Sequence, residues 1–151
     1  MPCWEKEPPS GQVSEIIEIG LTVVDLRAGE RMAKHRILVR PALSFREACR
    51  TLAARHRSAE LPWANWGDYD RDQFTRQCRD TGVEYPFAGQ HTNAKVAFTA
   101  ARGLRRRLGM AQALALAGLP LEGRHHRGDD DAWNIAALVL DLVRRGAWPR
   151  G

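Results

Sequence analysis

The sequence predicts a single α/β domain, and three observations support this fold class. Residues 14–25 form a run rich in β-branched side chains, and residues 36–40 form a second run after a turn signal at 27–29. Several later segments repeat apolar residues at the spacing of amphipathic helices. The chain has 151 residues, the length of one domain that buries about two-thirds of its extended surface.

Composition indicates a globular protein without a membrane segment. The mean hydropathy is -0.44, and no apolar run approaches the roughly 18 residues that a membrane span needs. The N-terminus has neither the basic segment nor the apolar core of a signal peptide. Cys3, Cys49 and Cys78 lie far apart and outside any Cys-x-x-Cys pattern, so we expect reduced thiols. These features predict a cytoplasmic protein with no membrane partner.

The charged residues are mostly arginines. The net charge is +5 and the sequence pI is about 9.6. Lys6, Lys34 and Lys95 are the lysines among the 23 basic residues. Guanidinium groups pair with phosphate through two parallel hydrogen bonds, so such a surface suits a polyanion. An Arg-rich and Ala-rich codon bias would give the same composition, and both explanations stay open.

The first helix is predicted after the strand pair and Pro41. Ser44 is a suitable N-cap, and the apolar residues that follow it have helical spacing. The predicted inner face consists of Phe45, Ala48, Cys49 and Leu52.

A short aromatic strand and a second helix are predicted over residues 61–78. The strand ends at Gly67, and an aspartate opens the helix, whose inner face carries Phe74 and Cys78. In the simplest interpretation Asp68 or Asp70 is an N-cap. Trp63 and Trp66 are then expected in the core.

A third helix is predicted over residues 94–102, with Val96, Ala97 and Phe98 inside. The basic stretch 102–107 follows it. This stretch suits sequence-independent binding of phosphates, but a solvated helix end whose cations complement the helix dipole explains it equally. We expect His91 and His125 to be surface or capping residues.

The last helix, predicted from Asp130 to about Arg145, follows a cluster of titratable residues. Asp129, Asp130 and Asp131 repel one another at a helix N-terminus, where one of them could serve as a cap. The simple interpretation is a cap and a solvated acidic loop. A divalent cation such as Mg²⁺ would also relieve the repulsion. His126 lies five residues before Asp131, close enough to act there as a general base.

The sequence from His126 onward resembles a known motif. His126-x4-Asp131 with Ala-Trp-Asn-Ile-Ala at 132–136 is similar to the third motif of the DEDDh 3'-5' exonucleases. The branch concerned is related to the histone-mRNA and RNA-interference exonucleases and their bacterial relatives. Tyr69-Asp70 resembles the second motif, in which an aspartate follows an aromatic residue. The resemblance runs from Cys3 to about Val143.

The resemblance implies a ribonuclease H-like mixed sheet flanked by helices. It also implies metal-dependent hydrolysis at the 3' ends of single-stranded RNA or DNA, with release of nucleoside monophosphates. Mg²⁺ or Mn²⁺ is the implied cofactor, with Asp131 as a direct ligand, Asp70 as an auxiliary ligand and His126 as the base. The candidate phosphate contacts come from the basic stretch itself and are Arg105, Arg106 and Arg107.

Two departures from the family pattern shape the expectation. The first motif, Asp-x-Glu, directly precedes Ala-Thr-Cys-Trp in the family, and here the matching pair is Cys3-Trp4. The carboxylate pair would therefore precede residue 1. A Leu-Thr-Gly-Ile-Thr segment that the family carries after the residue matching Pro41 has no counterpart. We expect residues 1–151 to form one truncated exonuclease domain, without its opening central strand and one helical segment.

Three hypotheses follow for the function. The chain is part of an active exonuclease, or a catalytically inactive relative that binds nucleic acid, or an interaction domain with no nucleic-acid role. The sequence predicts neither a preference between RNA and DNA nor an oligomeric state.

Overall fold

A computed structural model describes residues 15–40, 43–87, 90–124 and 127–149. Both strands and helices are present, as expected for the α/β class. In chain order they are β1 Glu18–Asp25, β2 Glu30–Leu38, α1 Phe45–Arg55, β3 Trp63–Asn65, α2 Tyr69–Thr81, β4 His91–Asn93, α3 Ala94–Ala101, α4 Met110–Ala117 and α5 Gly128–Arg144.

Strands β1 and β2 form the predicted hairpin. They are antiparallel, and Asp25 pairs with Glu30 beside the turn. Asp25 Oδ1 accepts hydrogen bonds from the backbone N–H groups of Arg27 and Ala28, both at 2.9 Å. Gly29 supplies the positive φ of 68° that the turn requires. Strand β2 is longer than the predicted run 36–40. Its first half was not predicted, because it alternates exposed and half-buried side chains without a clear apolar pattern.

Strands β3 and β4 pair in parallel, with Trp63 opposite His91 and Asn65 opposite Asn93. Strand β4 was not predicted, since three half-buried polar residues give no strand pattern. Within the described residues the two strand pairs are separate two-stranded sheets, and no strand joins them. One pair is antiparallel and the other is parallel, so the described strands show both kinds of pairing, as expected for a mixed α/β fold.

Helix α1 begins with a complete capping box. Ser44 Oγ accepts from the Glu47 N–H at 3.1 Å, and the Ser44 N–H donates to Glu47 Oε2 at 2.9 Å. These bonds lower the pKa of the Glu47 carboxyl, the backbone bond at Ser44 having the larger effect. The predicted N-cap is confirmed, and so is the inner face, which consists of the buried residues Phe45, Ala48, Cys49 and Leu52.

Helix α2 follows the aromatic strand as predicted. Asp68 occupies the N-cap position but makes no side-chain capping bond, so neither Asp68 nor Asp70 is a capping aspartate. The expected inner residues Phe74 and Cys78 are buried. Gly82, at a φ of 69°, ends the helix.

Helix α3 corrects one detail of the prediction. Ala94 and Phe98 are four residues apart and form its buried face. Val96 therefore points away from the core and is 40% exposed. Asn93 caps the helix, since its side chain accepts from the Val96 N–H at 3.2 Å.

Two apolar clusters form the core. The first lies between the hairpin, α1 and α2 and includes the free thiols of Cys49 and Cys78; burial raises the pKa of Cys49 to about 12. The second lies between α3, α4 and α5, with fully buried Phe98, Leu138 and Leu142. Trp66 packs against this second cluster, as predicted for a core residue. Of the helices in the described segments, none is long and apolar enough to span a bilayer.

Candidate metal site and basic loop

The N-terminus of α5 packs directly on the backbone of β1. A Cβ atom at Gly20 would lie 1.9 Å from the carbonyl carbon of Gly128, so only glycine fits there. The Gly128 N–H donates to Glu18 Oε1 at 2.8 Å, and the same carboxylate pairs with Arg36 at 3.0 Å. The carboxylate at this helix N-terminus therefore comes from the neighbouring strand. The expectation that one of the aspartates at 129–131 is the cap is not met.

Two of the three consecutive aspartates are buried and paired with cations of the protein itself. Asp129 accepts from Arg127 Nε at 2.9 Å. Asp130 pairs with Lys34 Nζ and accepts from the Arg124 N–H at 2.9 Å. The Lys34 hydrogen bond, followed by the Arg124 bond, lowers the pKa of the Asp130 carboxyl. Protein cations thus offset the repulsion at these two positions, so neither aspartate requires a metal ion.

The third aspartate, Asp131, lies close enough to Asp70 for the two charges to interact. Asp70 is exposed on one side, but the protein around its carboxyl removes hydration, which raises its pKa. The negative charge of Asp131 raises this pKa further. Helices α2 and α5 therefore bring together the two carboxylates that the resemblance indicated.

The Asp70–Asp131 pair has the chemistry of a magnesium or manganese site. Carboxylate oxygens are preferred by both ions, and Mg²⁺ commonly uses one or two of them together with water and substrate phosphate. Within the described residues, no three side chains of the His, Cys, Asp or Glu type are grouped to hold a metal. The pair therefore fits a cation shared with a phosphate better than one enclosed by protein.

His126 and His125 lie outside the described residues, so the role of His126 as a general base stays a prediction. The described residues on both sides are fixed to the first turns of α5. Arg124 donates its N–H to Asp130, and Asp131 donates its N–H to the Arg127 carbonyl at 2.8 Å.

Asn134 fixes the segment that leads to His126. Its side chain is fully buried. Its Oδ1 accepts from the Glu122 N–H and its Nδ2 donates to the Glu122 carbonyl, both at 2.9 Å. The amide thus replaces a strand as the hydrogen-bonding partner of this backbone. The sequence contains a signal for this role, since an amide in the apolar stripe of α5 must find partners when buried.

A buried histidine lies behind Asp70. Asn65 Nδ2 donates to Asp70 Oδ2 at 3.1 Å, and His91 Nε2 lies 2.9 Å from Asn65 Oδ1. The His91 side chain is only 3% exposed. The expectation of a surface or capping histidine is therefore wrong, because the parallel β3–β4 pairing buries this ring in the protein interior.

The three consecutive arginines lie in the loop between α3 and α4, and all are exposed. Helix α3 ends before them, so they do not complement its dipole as a helix end would. None of them forms an ion pair or side-chain hydrogen bond with another described residue. The Trp66 indole donates to the Leu108 carbonyl at 2.9 Å and so ties this loop to the connection that leads into α2. The basic loop consists of Arg105, Arg106 and Arg107.

Arg102 does not belong to the basic loop, although it was predicted as part of the basic patch. Its guanidinium lies 5.2 Å from the centre of the Phe98 ring. It also pairs with Asp141 at 3.3 Å. Arg102 therefore links α3 to α5 and has a structural role.

The fold described above is shared with solved 3'-exonuclease structures. A full-length 3'-exonuclease matches with a TM-score of 0.80 at 22% identity, over 99% of this chain and 80% of that one. The nuclease domain of 3'hExo, a DEDDh family member bound to rAMP, also has a TM-score of 0.80, at 21% identity, over 99% of this chain and 90% of that one. A 3'-exonuclease structure on recognition of the histone mRNA stem-loop matches with a TM-score of 0.77 at 20% identity, over 97% and 79%.

A relative found by sequence comparison is also named as a 3'-5' exonuclease. The chain is 26% identical to the 3'-5' exonuclease Snipper of Drosophila melanogaster over 189 aligned residues, which cover 96% of this chain and 67% of the relative. The alignment is longer than this chain, so the relative contains segments without a counterpart here. No protein-family model matches the chain.

Proposed function

We propose that this chain is a metal-dependent 3'-5' exonuclease domain that acts on single-stranded RNA or DNA ends and releases nucleoside monophosphates. The observation that carries the proposal is the juxtaposition of Asp70 and Asp131, from two different helices, in a fold shared with 3'-exonucleases. The activity class of the sequence relative supports it.

Each group of the chain has a distinct role in this proposal. Asp70 and Asp131 would hold Mg²⁺ or Mn²⁺, which when bound would offset the charge that develops on the scissile phosphate. His126 would accept the proton of the attacking water, since a neutral imidazole is an effective base near pH 7. The basic loop would hold the phosphates of the strand without reading its sequence.

The test is shortening of 5'-labelled single-stranded RNA and DNA in the presence of Mg²⁺ or Mn²⁺. We expect shortening from the 3' end and release of nucleoside monophosphates, detected by chromatography. Asp131→Asn and His126→Ala should each lower the rate by about 100-fold or more, because each removes a group of a concerted site.

Asp72→Asn is the matched control for Asp70→Asn. Both aspartates lie in the first turn of α2, but the side chain of Asp72 is 69% exposed and pairs with Arg71 beside it. We expect Asp72→Asn to leave the rate unchanged and Asp70→Asn to lower it. The proposal is overturned if neither cation supports shortening, or if the two variants behave alike.

The exposed basic loop favours a second candidate function, which is binding of single-stranded nucleic acid without hydrolysis. Contacts to single strands weaken with salt, by about 0.7 in the logarithmic slope for each phosphate neutralised. Replacing Arg105, Arg106 and Arg107 with glutamine should reduce this slope. Salt-sensitive binding without shortening would support the second candidate, and retention that does not depend on salt would favour an interaction domain with no nucleic-acid role.

A further inference from the structure

A hydrogen-bonded chain of side chains connects the interior of the small parallel sheet to Asp70. It starts at His91 on β4, continues through the amide of Asn65 on β3, and ends at the Asp70 carboxylate in the first turn of α2, with links of 2.9 and 3.1 Å. It therefore joins three elements, of which β4 lies 26 residues from β3 along the chain.

The parallel register puts these groups in reach of one another. Trp63 pairs with His91, and Asn65, two residues further along β3, points to the same face of the sheet. The Trp63 and His91 rings meet edge to face with their centroids 4.6 Å apart, and the Trp63 ring stacks on Phe87 with the centroids 3.6 Å apart. A shift of one residue would turn the Asn65 side chain to the opposite face.

The chemistry of the partners fixes the direction of both hydrogen bonds. An ionised carboxylate only accepts, so the amide of Asn65 must turn its Nδ2 toward Asp70. Its Oδ1 then faces His91, and a carbonyl oxygen only accepts as well. His91 Nε2 must therefore carry a hydrogen.

The other ring nitrogen of His91 is an acceptor when the ring is neutral. Nδ1 is buried and has no hydrogen-bond partner among the described residues; Asp68 Oδ1 lies 3.9 Å away from it. Burial lowers the pKa of His91, and the charge of Arg71 lowers it further, against the opposing effects of Asp68 and Asp72. The neutral ring with its hydrogen on Nε2 places no unpaired N–H group in the interior.

We propose that Asn65 and His91 are positioning residues that orient the Asp70 carboxylate toward a bound divalent cation. We call the hydrogen-bonded chain of His91, Asn65 and Asp70 the relay. Its role rests on the proposed function of the Asp70–Asp131 pair. Hydrogen-bonded partners behind a ligand typically contribute about 10- to 100-fold to metal affinity or activity, because they fix the ligand before the ion arrives. Neither residue touches the reacting atoms, so both act only through Asp70.

The first test uses the metal-free protein and nuclear magnetic resonance of the imidazole nitrogens. We expect His91 at pH 7 to be neutral with its hydrogen on Nε2, and this Nε2–H resonance to shift in Asn65→Ala. A hydrogen on Nδ1, or a resonance that does not respond to the loss of Asn65, would overturn the relay.

The second test measures Mn²⁺ affinity by titration calorimetry. Asn65→Ala and His91→Leu should each weaken binding by about 10-fold or more. His91→Gln keeps an N–H donor near the position of Nε2 and should restore most of the affinity. Trp63→Phe is the control, since it changes the ring beside His91 without removing a member of the relay. The Trp63 Nε1 that it removes has no hydrogen-bond partner among the described residues.

The outcomes separate the relay from the function on which it rests. If the parent protein binds no Mn²⁺, or if Asp70→Asn does not weaken binding, the proposed metal site fails. If Asp70→Asn weakens binding but Asn65→Ala and His91→Leu do not, only the relay is overturned. Equal losses in His91→Gln and His91→Leu would likewise overturn it. Should Asn65→Ala fail to fold, the two His91 variants still decide the question.

Discussion

The two helix N-termini that supply carboxylates to the candidate metal site are held in different ways. The start of α5 is fixed by close backbone contact at Gly20 and by charged partners, including Glu18 on its first N–H and Lys34 on Asp130. The start of α2 has a neutral amide, Asn65, as the partner of Asp70.

The difference shows how to separate structural carboxylates from candidate ligands. Asp130 has a cation beside it, and its pKa is lowered. Asp70 is desolvated by the surrounding protein and has the Asp131 carboxylate nearby, and both effects raise its pKa. A carboxylate whose charge the protein already balances contributes to stability, whereas one that faces like charge gains from a metal ion. Sequence position does not distinguish them, since Asp129, Asp130 and Asp131 are consecutive.

The largest effect on stability should come from inserting a methyl group where the backbones of β1 and α5 are in contact. Gly20→Ala places a methyl group against backbone atoms of Gly128 and Asp129 that cannot turn aside. We expect the free energy of unfolding, measured with urea in metal-free buffer, to fall by about 3 kcal/mol or more. Gly109→Ala is the control, because a Cβ there meets nothing within 4 Å, and it should cost less than about 1 kcal/mol. Equal losses would show that the start of α5 is not tightly packed.

Removing the buried amide that holds residue 122 should have the next largest effect. Asn134→Ala leaves the N–H and carbonyl of Glu122 without partners, and we expect a loss of about 2–4 kcal/mol in the free energy of unfolding. Asn93→Ala, which removes only a helix cap, should cost about 1 kcal/mol. A loss at Asn134 no larger than at Asn93 would contradict a fixed segment before His126.

The ion pair at Lys34 should give a smaller effect with a defined pH dependence. The folded pKa of Asp130 is lowered, so its contribution to stability is fully present above the unfolded value of about 3.9 and is lost as the pH falls through the lower folded value. Lys34→Met should therefore be less stable than the parent at pH 7, and the difference should shrink below about pH 4.

Lys95→Met is the control for this titration. Lys95 forms no ion pair within the described residues, so its replacement should change stability equally at all pH values. Urea unfolding from pH 7 down to pH 3 measures both variants. A Lys34→Met difference that persists at low pH would show that the side chain acts by packing and not by charge.

The smallest effect on stability is expected at Asp70, the carboxylate that is contrasted with Asp130. Asp70→Asn relieves repulsion with Asp131 and keeps an oxygen for Asn65 to donate to. We expect the metal-free protein to become slightly more stable at pH 7, on the order of a few tenths of a kcal/mol after solvent screening. The stabilisation that Mn²⁺ confers on the parent should be reduced in the same variant. A loss of stability without metal would mean that Asp70 is a structural carboxylate.

Much of the fold could be predicted from local sequence. The hairpin turn at Gly29, the cap at Ser44 and the inner face of α1 follow from short-range hydrogen bonding and from the spacing of apolar residues. Strand β4 could not be predicted, because three polar residues pair only where β3 already lies beside them. Val96 was misplaced because its helix is short and the choice of buried face depends on its neighbours.

The candidate site was predicted only in part. The resemblance indicated Asp70 and Asp131, but only the fold shows that they lie near each other. Asn65, His91 and Asn134 were missed as supporting residues, because their partners are distant in sequence or belong to the backbone. The roles of His126 and of the basic loop stay predictions.

The sequence by itself determined the α/β class and the order of most elements, and its motifs made Asp70 and Asp131 the candidate ligands, because periodicity, caps and motifs depend on neighbouring residues. The tertiary structure decided that Asp129 and Asp130 pair with Arg127 and Lys34, and that Asp131 lies within interacting distance of Asp70. That choice depends on side chains from β1, β2 and α2, and only folding brings their charges within interacting distance of α5.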